Sequence, residues 1–134
     1  GQMFYNKRTQ SLYDLNYYLV IATNQKKSYI SEKQSTLLKR HFLKVAKTYS
    51  VHLLYWEYHD FYIEISFSVD KGQTSVSDFV AVFKSTSSFN IKKYFPEILD
   101  ERIESKPFWN KGYFLKTLGS VSEKEKDEWL KKLK

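Results

Sequence analysis

The groups of this chain that could take part in chemistry are three histidines and several tyrosine hydroxyls near predicted strands. The histidines are His41, His52 and His59, and an imidazole can hold a divalent cation or transfer a proton near neutral pH. His59 and Asp60 could form a metal pair, but their position between two β-rich runs favours a turn. The tyrosines are Tyr17, Tyr18, Tyr62 and Tyr113. None has an identifiable ligand set or general base beside it, so we infer no active site from these residues alone.

The composition narrows the kinds of protein and site that the chain can form. Its 134 residues fit a single domain, 1–134, and the absence of Cys excludes disulfides and thiolate chemistry. No apolar run approaches the roughly 20 residues that a membrane helix needs. We therefore expect a cytoplasmic protein without a membrane partner. Gly1-Gln2 ahead of Met3 resembles an expression remnant.

Charge and aromatic content favour an anionic partner. The net charge is +7, and 18% of the residues are aromatic. Lysines placed against phosphates gain affinity by releasing counterions, and aromatic faces stack on unpaired bases. A basic surface also serves solubility, and tyrosine-rich strands also bury well at subunit interfaces. Both alternatives stay open at this level.

The first half of the chain predicts a strand, a helix and a hairpin. The apolar run Leu15–Ile21 predicts a buried strand. A capping box then precedes apolar residues at helical spacing, which predicts a helix from about Glu32 to Tyr49. Two β-rich runs, Val51–Tyr58 and Phe61–Val69, are separated only by the length of a tight turn.

The second half predicts two helices around a fourth strand. Ser75 caps a helix whose apolar stripe runs toward Ser88 and Tyr94, a loop extends to about residue 106, and the strand is Tyr113–Leu118. A highly charged helix occupies 120–134. The order β-α-β-β-α-β-α predicts an α+β, ferredoxin-like (split βαβ) fold. In this fold an antiparallel sheet carries helices on one face, and the C-terminal helix is an addition.

The last third of the chain carries a family resemblance. The pattern FWNKGYFLKTLG at Phe108–Gly119, followed by a helix ending DEWLKKL, resembles the single-tyrosine HUH transposases, which include the IS200-like and REP-associated tyrosine transposases. The segments LNYYLVIATNQKKSYI and VAVFKSTSSFNIKKYFPEI resemble the opening strand and second helix of that family. The resemblance covers nearly the whole chain. It implies the ferredoxin-like fold and an ancestry in enzymes that break and join single-stranded DNA.

The departures from this family fall on its catalytic positions. The resemblance implies two histidines at alternate positions of a strand that hold a divalent cation, and a helix with a nucleophilic tyrosine and, four residues later, a polar ligand. Here the histidine positions read Tyr62 and Glu64, and the helix positions read Trp129 and Leu133. Trp129 has no ionisable hydroxyl. We therefore predict no catalytic residue, a helix anchor at Trp129, and only a weak candidate for a metal ligand in Glu64.

Binding to DNA is the activity that the resemblance leaves in place. It implies homodimers joined at strand edges, in which each C-terminal helix completes a site on the partner, and recognition of imperfect hairpins by basic residues and unpaired bases. The matching positions are Arg8, Lys26, Lys27, Lys84, Lys92, Lys93 and Lys111. We expect hairpin or single-stranded DNA as the partner and no cofactor. Magnesium or manganese would be needed only if cleavage were retained.

Three functions stay open on the sequence. The first, which we favour, is a DNA-binding protein that has lost DNA cleavage and strand transfer. The second is a still-active transposase that uses Glu64 and an unidentified tyrosine, and the third is a dimerisation scaffold. RNA is a weaker alternative, because no aromatic-rich segment of the kind found in RNA-recognition motifs lies on the central strands.

Overall fold

Four strands and three helices make up the described part of the chain. The computed structural model describes residues 14–70, 75–98, 107–117 and 123–133. Its strands are β1 (Asp14–Ala22), β2 (Val51–Tyr58), β3 (Tyr62–Asp70) and β4 (Phe114–Thr117), and its helices are α1 (Glu32–Tyr49), α2 (Val76–Tyr94) and α3 (Glu123–Lys132). Some predicted features lie outside the described residues: Arg8, most of the loop that ends near residue 106, Leu118 at the end of the fourth strand, and residues 120–122 and 134 of the last helix.

The strands form one antiparallel sheet in the order β2-β3-β1-β4. This order, with a helix between β1 and β2 and another between β3 and β4, confirms the predicted ferredoxin-like α+β fold. The central pair places Val20 of β1 opposite Glu64 of β3. Glu64 also lies opposite Glu57 of β2. Glu64 therefore has a neighbouring strand on each side and lies in the interior of the sheet rather than on an edge strand.

Alternation along the strands separates the two faces of the sheet. Ile63, Ile65 and Phe67 of β3 are fully buried in the core beneath α1 and α2, since residues two apart on a strand point to the same face. Phe42 of α1 lies at the centre of this core. It makes ring contacts with Trp56, Phe67, Phe79 and Phe83.

Local sequence signals set the helix ends. The backbone N–H of Ser31 donates to the Gln34 side chain at 2.9 Å ahead of α1, and the Ser75 hydroxyl accepts from the Asp78 N–H at 3.3 Å ahead of α2. Both caps match the prediction. Helix α2 continues past Ser88 to Tyr94, because the neighbouring Ser and Thr hydroxyls bond to carbonyls of the same helix instead of ending it.

Helix α3 packs on the face of the sheet opposite α1 and α2. Trp129 and Leu130 contact a small cluster formed by Tyr18, Val20 and Phe114. The C-terminal helix therefore covers part of the face that the other two helices leave uncovered. None of the described helices combines the length and the apolar character needed to cross a membrane.

Candidate functional site

Glu64 is the buried carboxylate of the face that α3 covers. Its residue is 8% exposed, and its Oε1 atom accepts hydrogen bonds from the Tyr18 hydroxyl at 2.8 Å and the Lys126 ammonium at 3.0 Å. The Lys126 side chain is itself only 12% exposed. An unpaired charge is costly at such a position, so α3 supplies the counter-charge that this strand position needs.

The protonation of Glu64 follows from these contacts. Burial raises its pKa, while the hydrogen bonds from Lys126 and Tyr18 and the positive charge of Lys126 lower it. The net effect is a pKa below the ordinary value of 4.5. Glu64 is thus a carboxylate near neutral pH. Nearby, burial raises the pKa of the Tyr62 hydroxyl, which keeps that group neutral.

The His59 imidazole lies between two carboxylates, those of Glu57 and Glu64. Its Nε2 atom lies 3.5 Å from Oε2 of Glu57 and 3.6 Å from Oε2 of Glu64. This nitrogen is buried without a hydrogen-bond partner, and the imidazole stacks on Tyr62 with ring centroids 4.1 Å apart. The donor atoms of Glu57, His59 and Glu64 all lie within 4.8 Å of one another. We call these three residues the hairpin cluster.

Asp60 does not join the hairpin cluster. Its carboxylate accepts a hydrogen bond from the Ser28 hydroxyl at 3.0 Å, and its carbonyl accepts one from the Ile30 N–H at 3.0 Å. It therefore lies in the turn, as predicted, and ties the hairpin to the segment after β1. The His59 N–H also closes that turn, on the carbonyl of Tyr62 at 2.8 Å, while its imidazole belongs to the cluster. His52 lies elsewhere on the sheet, 3.5 Å from Asp70.

Only two of the four tyrosines singled out in the sequence reach this site. Tyr18 bonds to Glu64, and Tyr62 stacks on His59. Tyr17 lies on the other face, stacked on Phe67, and Tyr113 lies beneath the Lys84 ammonium. The site residues that the sequence did not single out are Glu57 and Lys126. The signal for Lys126 was available, since it lies one helical turn before Trp129 and shares its face.

Trp129 anchors α3 to the sheet. Its ring lies 6.0 Å from that of Phe114, and it packs against the cluster of Tyr18, Val20 and Phe114. Leu133 lies just past the end of the helix, where its N–H donates to the Leu130 carbonyl at 3.3 Å. The positions of the family nucleophile and ligand thus hold apolar side chains, Trp129 and Leu133, which offer no hydroxyl or carboxylate.

A second set of predicted residues gathers at the end of the sheet where β1 ends and β4 begins. Thr23 forms a bridge with Trp109, and the Asn24 N–H donates to the Phe108 carbonyl at 2.9 Å. The turn with Lys26 and Lys27 therefore lies against the loop with Lys111. Helix α2 ends at this same end of the sheet, with Lys92 and Lys93 in its last turn. We call Lys26, Lys27, Lys92, Lys93 and Lys111 the basic end.

Lys84 has a different place from the one predicted. Its ammonium donates to the carbonyls of Asn110, Lys111 and Gly112 at 2.7, 2.9 and 3.4 Å, and burial lowers its pKa. These bonds use the three donors of the ammonium group. Lys84 therefore holds the loop that carries Lys111, rather than offering its charge to a DNA phosphate.

Comparisons with known proteins identify the family of the chain and the solved structures that share its fold. The family model described as transposase IS200 like matches residues 11–132. The chain belongs to the IS200-like transposase family. No curated protein matches it.

Two solved structures share the fold of this IS200-like transposase family member. A candidate transposase from Deinococcus radiodurans R1 is 22% identical, with a TM-score of 0.73 over 95% of this chain and 94% of that one. A REP-associated tyrosine transposase bound to a REP hairpin is 10% identical, with a TM-score of 0.58 over 86% of this chain and 61% of that one. At these identities the likeness shows a common fold.

The side chains at the family positions do not fit the divalent cation that the resemblance implies. Tyr62 stands in place of one histidine and stacks on His59, and Leu133 has no donor atom. The Lys126 ammonium already lies 3.0 Å from Glu64, and a second cation beside it would be repelled. We therefore derive no reaction step through a metal at these positions. Lys126 also reaches Glu64 of its own chain, so α3 here completes a site within one chain.

His41 lies apart from the hairpin cluster, in an open groove between α1 and α2. Its Nδ1 faces the Asn90 amide at 3.1 Å, and its Nε2 contacts the Thr86 hydroxyl. Because that hydroxyl donates to the Val82 carbonyl, we assign the proton of the neutral ring to Nε2. The charged groups around the groove are Glu32, Lys33, Arg40 and Lys44.

We expect protonation of His41 to destabilise the fold. Burial, and then the charge of Lys44, lower its pKa from the ordinary 6.5. The unfolded chain therefore takes up a proton first, and the free energy of unfolding should fall as the pH drops through 6.5. Urea denaturation from pH 7.5 to 5.5 checks this. His41→Gln should show a shallower slope than the wild type, and equal slopes would contradict the assignment.

Proposed function

We propose that this protein is a DNA-binding member of the IS200-like transposase family that recognises hairpin or single-stranded DNA and has lost strand cleavage and transfer. The observation that carries the proposal is the Lys126 ammonium on Glu64. The Lys126 ammonium occupies the position where the family resemblance implies a metal ion. The apolar face of α3 occupies the position where it implies a nucleophile. A protein that cannot cut can still bind, and its binding should need no divalent ion.

Loss of cleavage is supported by the hydroxyls that surround Glu64. Trp129 offers none, and the Tyr18 hydroxyl is buried and donates its proton to Glu64. The pKa of Tyr62 is raised by burial, which makes its phenolate form less accessible. A nucleophile needs a deprotonated or base-activated oxygen. Burial raises the pKa of the Tyr55 hydroxyl as well as that of Tyr62, which disfavours both phenolates.

DNA binding is supported by the basic end. Lys27, Lys93 and Lys111 are exposed there, and phosphate neutralisation by lysines gives affinity without sequence information. Two exposed aromatic rings, Tyr58 and Tyr94, belong to the same end of the sheet. Unpaired bases stack on such rings, whereas paired bases are not available to them. This combination favours hairpin tips or single strands over continuous duplex.

The relative solved with a REP hairpin adds support for a hairpin partner. We carry over to this chain only the class of ligand, because the identity is 10%. A homodimer also stays part of the proposal, with the edge strands β2 and β4 as the available joining surfaces. Sedimentation of the purified chain measures the oligomeric state. We also propose a cytoplasmic location, where a DNA partner would be available.

Fluorescence anisotropy with labelled DNA tests the proposal. A hairpin with an unpaired tip, an unstructured single strand and a blunt duplex are titrated with protein across a salt series in EDTA. We expect the hairpin or the single strand to bind more tightly than the duplex, with affinity that falls steeply with salt and is unchanged by magnesium. Negligible binding of all three at low salt would leave a dimerisation scaffold as the better account.

Strand cleavage is tested separately from binding. The same hairpins are incubated with magnesium or manganese, and covalent protein–DNA adducts are sought by denaturing electrophoresis. We expect no adduct. A metal-dependent adduct would overturn the loss of cleavage and favour an active transposase. Its persistence in Glu64→Ala would then exclude Glu64 from the reaction.

The double substitution Lys26→Ala/Lys27→Ala should weaken DNA binding about 20- to 60-fold at 0.1 M salt, because each lost phosphate contact removes roughly 0.7 to 0.9 from the slope of log affinity against log salt. The slope itself should fall by about 1.4 to 1.8. Lys44→Ala/Lys47→Ala is the matched control. It removes the same charge from the exposed surface of α1 and leaves the five lysines of the basic end in place. Equal losses in both variants would reject a localised site.

A further inference from the structure

The hairpin cluster has the composition and spacing of a transition-metal site. It offers one imidazole nitrogen and two carboxylates, a donor set that suits zinc or manganese. Bonds of 2.0–2.1 Å in a tetrahedral zinc site place ligand atoms about 3.3 Å apart. The distances from His59 Nε2 to the Glu57 and Glu64 oxygens, 3.5 and 3.6 Å, are close to that spacing.

Two further observations point to a cation at this place. His59 Nε2 is buried and has no hydrogen-bond partner, although it faces two carboxylate oxygens. The Lys126 side chain extends from α3 to one of the same carboxylates, and its ammonium lies 3.0 Å from Oε1 of Glu64. Lys126 bonds to one oxygen of Glu64, and His59 faces the other. The two carboxylates of the hairpin cluster therefore favour a positive charge, and the Lys126 ammonium already supplies one.

This donor set differs from the one that the family resemblance implies. Glu57 and His59 come from the β2–β3 hairpin, and neither occupies a family ligand position. Only Glu64 does. The misfit described above concerns the family positions, while the hairpin cluster lies beside them and provides its own donors.

We infer that Glu57, His59 and Glu64 form a site for a divalent transition metal, and that the Lys126 ammonium keeps this site closed. The positive charge of Lys126 repels a second cation and shares the Glu64 carboxylate. Removal of that charge opens the site to one metal ion per chain. The inference does not depend on the proposed DNA binding.

Zinc titration of the 134-residue chain, without an affinity tag, tests the inference. The proteins are the wild type, Lys126→Met, and Lys126→Met/His59→Gln, each in competition with a chelating indicator. We expect Lys126→Met to bind one Zn²⁺ at least ten times more tightly than the wild type does, and His59→Gln to abolish that gain. Equal affinity of the wild type and Lys126→Met would overturn the inference, as would a gain that survives His59→Gln.

Two controls separate the site from adventitious binding and from failure to fold. Lys116→Met removes the exposed lysine that pairs with Glu125 at 3.4 Å, and it should leave zinc affinity unchanged. A tenfold gain in this variant would show that any lost charge suffices and would reject the site. If Lys126→Met is unfolded without metal, Zn²⁺ should restore its circular dichroism spectrum. Absence of that rescue, together with no zinc binding by folded Lys126→Gln, would reject the site as well.

Discussion

Phe42→Ala is expected to lower the free energy of unfolding by about 3–5 kcal/mol, the range for truncation of a fully buried phenylalanine. Phe42 is completely buried, and its ring centre lies 5.2 to 6.2 Å from those of Trp56, Phe67, Phe79 and Phe83. These partners come from β2, β3 and α2, so no single neighbour can move to fill the space. The cost therefore combines lost burial with a cavity.

Leu43→Ala is the matched control, because it changes the next residue of the same helix. Leu43 is 43% exposed, so its truncation should cost less than about 1 kcal/mol. Urea denaturation followed by circular dichroism measures both variants. Similar losses would contradict the central place of Phe42 in the core, because replacement by Ala does not lower helix propensity at either position.

The elements of this fold were predictable because each carries its own local signal. The bounds of α1 and β2 match the prediction, since a capping box, apolar periodicity and β-branched runs act within a few residues. The prediction for α2, a helix that runs toward Ser88 and Tyr94, is confirmed as well. A run of Ser and Thr is typical of a helix end, but Ile91 is buried in the core and draws the helix onward, so tertiary burial outweighs local preference.

The site was harder to predict because it depends on register. The pairing of β2 with β3 shifts between Leu53 and Tyr55. Before the shift Leu53 lies opposite Phe67 on the core face, and after it Glu57 lies opposite Glu64 on the other face. A shift of one residue reverses the face of every following side chain. No local pattern marks this irregularity, so the sequence offered Glu57 only as an exposed strand residue.

The sequence identified the four positions at which the family resemblance implies catalytic groups, but it did not identify the ion pair that the structure forms at Glu64. Trp129 was expected to anchor α3, and it packs on Phe114. The contact between Lys126 and Glu64 joins residues 62 positions apart. Charge pairs of this separation follow from the docking of α3, which itself depends on Trp129 and Leu130. The ion pair between Lys126 and Glu64 and the packing of Trp129 are therefore parts of one arrangement of α3 on the sheet.

Lys126→Met is expected to lower the free energy of unfolding by about 3 kcal/mol near neutral pH, because removal of one partner of a buried ion pair leaves the other charge unpaired. The Lys126 and Glu64 side chains are only 12% and 10% exposed. Glu64 lies on a central strand and cannot turn to solvent. Its remaining hydrogen bond comes from Tyr18, which carries no compensating charge.

Glu64→Gln should cost less, about 1 kcal/mol, because Lys126 belongs to a surface helix and its long side chain can return to water. The double variant Glu64→Gln/Lys126→Met should be close in stability to Glu64→Gln alone, which gives a coupling energy of about 2 kcal/mol. Urea denaturation in EDTA measures the free energies of unfolding of the four proteins in this double-mutant cycle. Lys116→Met, which removes a half-exposed lysine paired with Glu125, should cost less than about 1 kcal/mol. Additive losses at positions 64 and 126 would contradict a coupled pair.

The pH dependence distinguishes this ion pair from simple loss of packing. In the wild type the pKa of Glu64 lies below 4.5, so its ionised form stabilises the fold above that pH, and this contribution is lost as the pH falls through the lower folded value. Without Lys126, burial acts with less opposition and the pKa rises. Protonation then relieves an unpaired charge, and Lys126→Met should gain stability relative to the wild type as the pH falls from 7 toward 4.5. A constant difference over that range would mean that Lys126 acts through its methylene chain, and the Lys126 charge would then no longer support the proposed loss of cleavage.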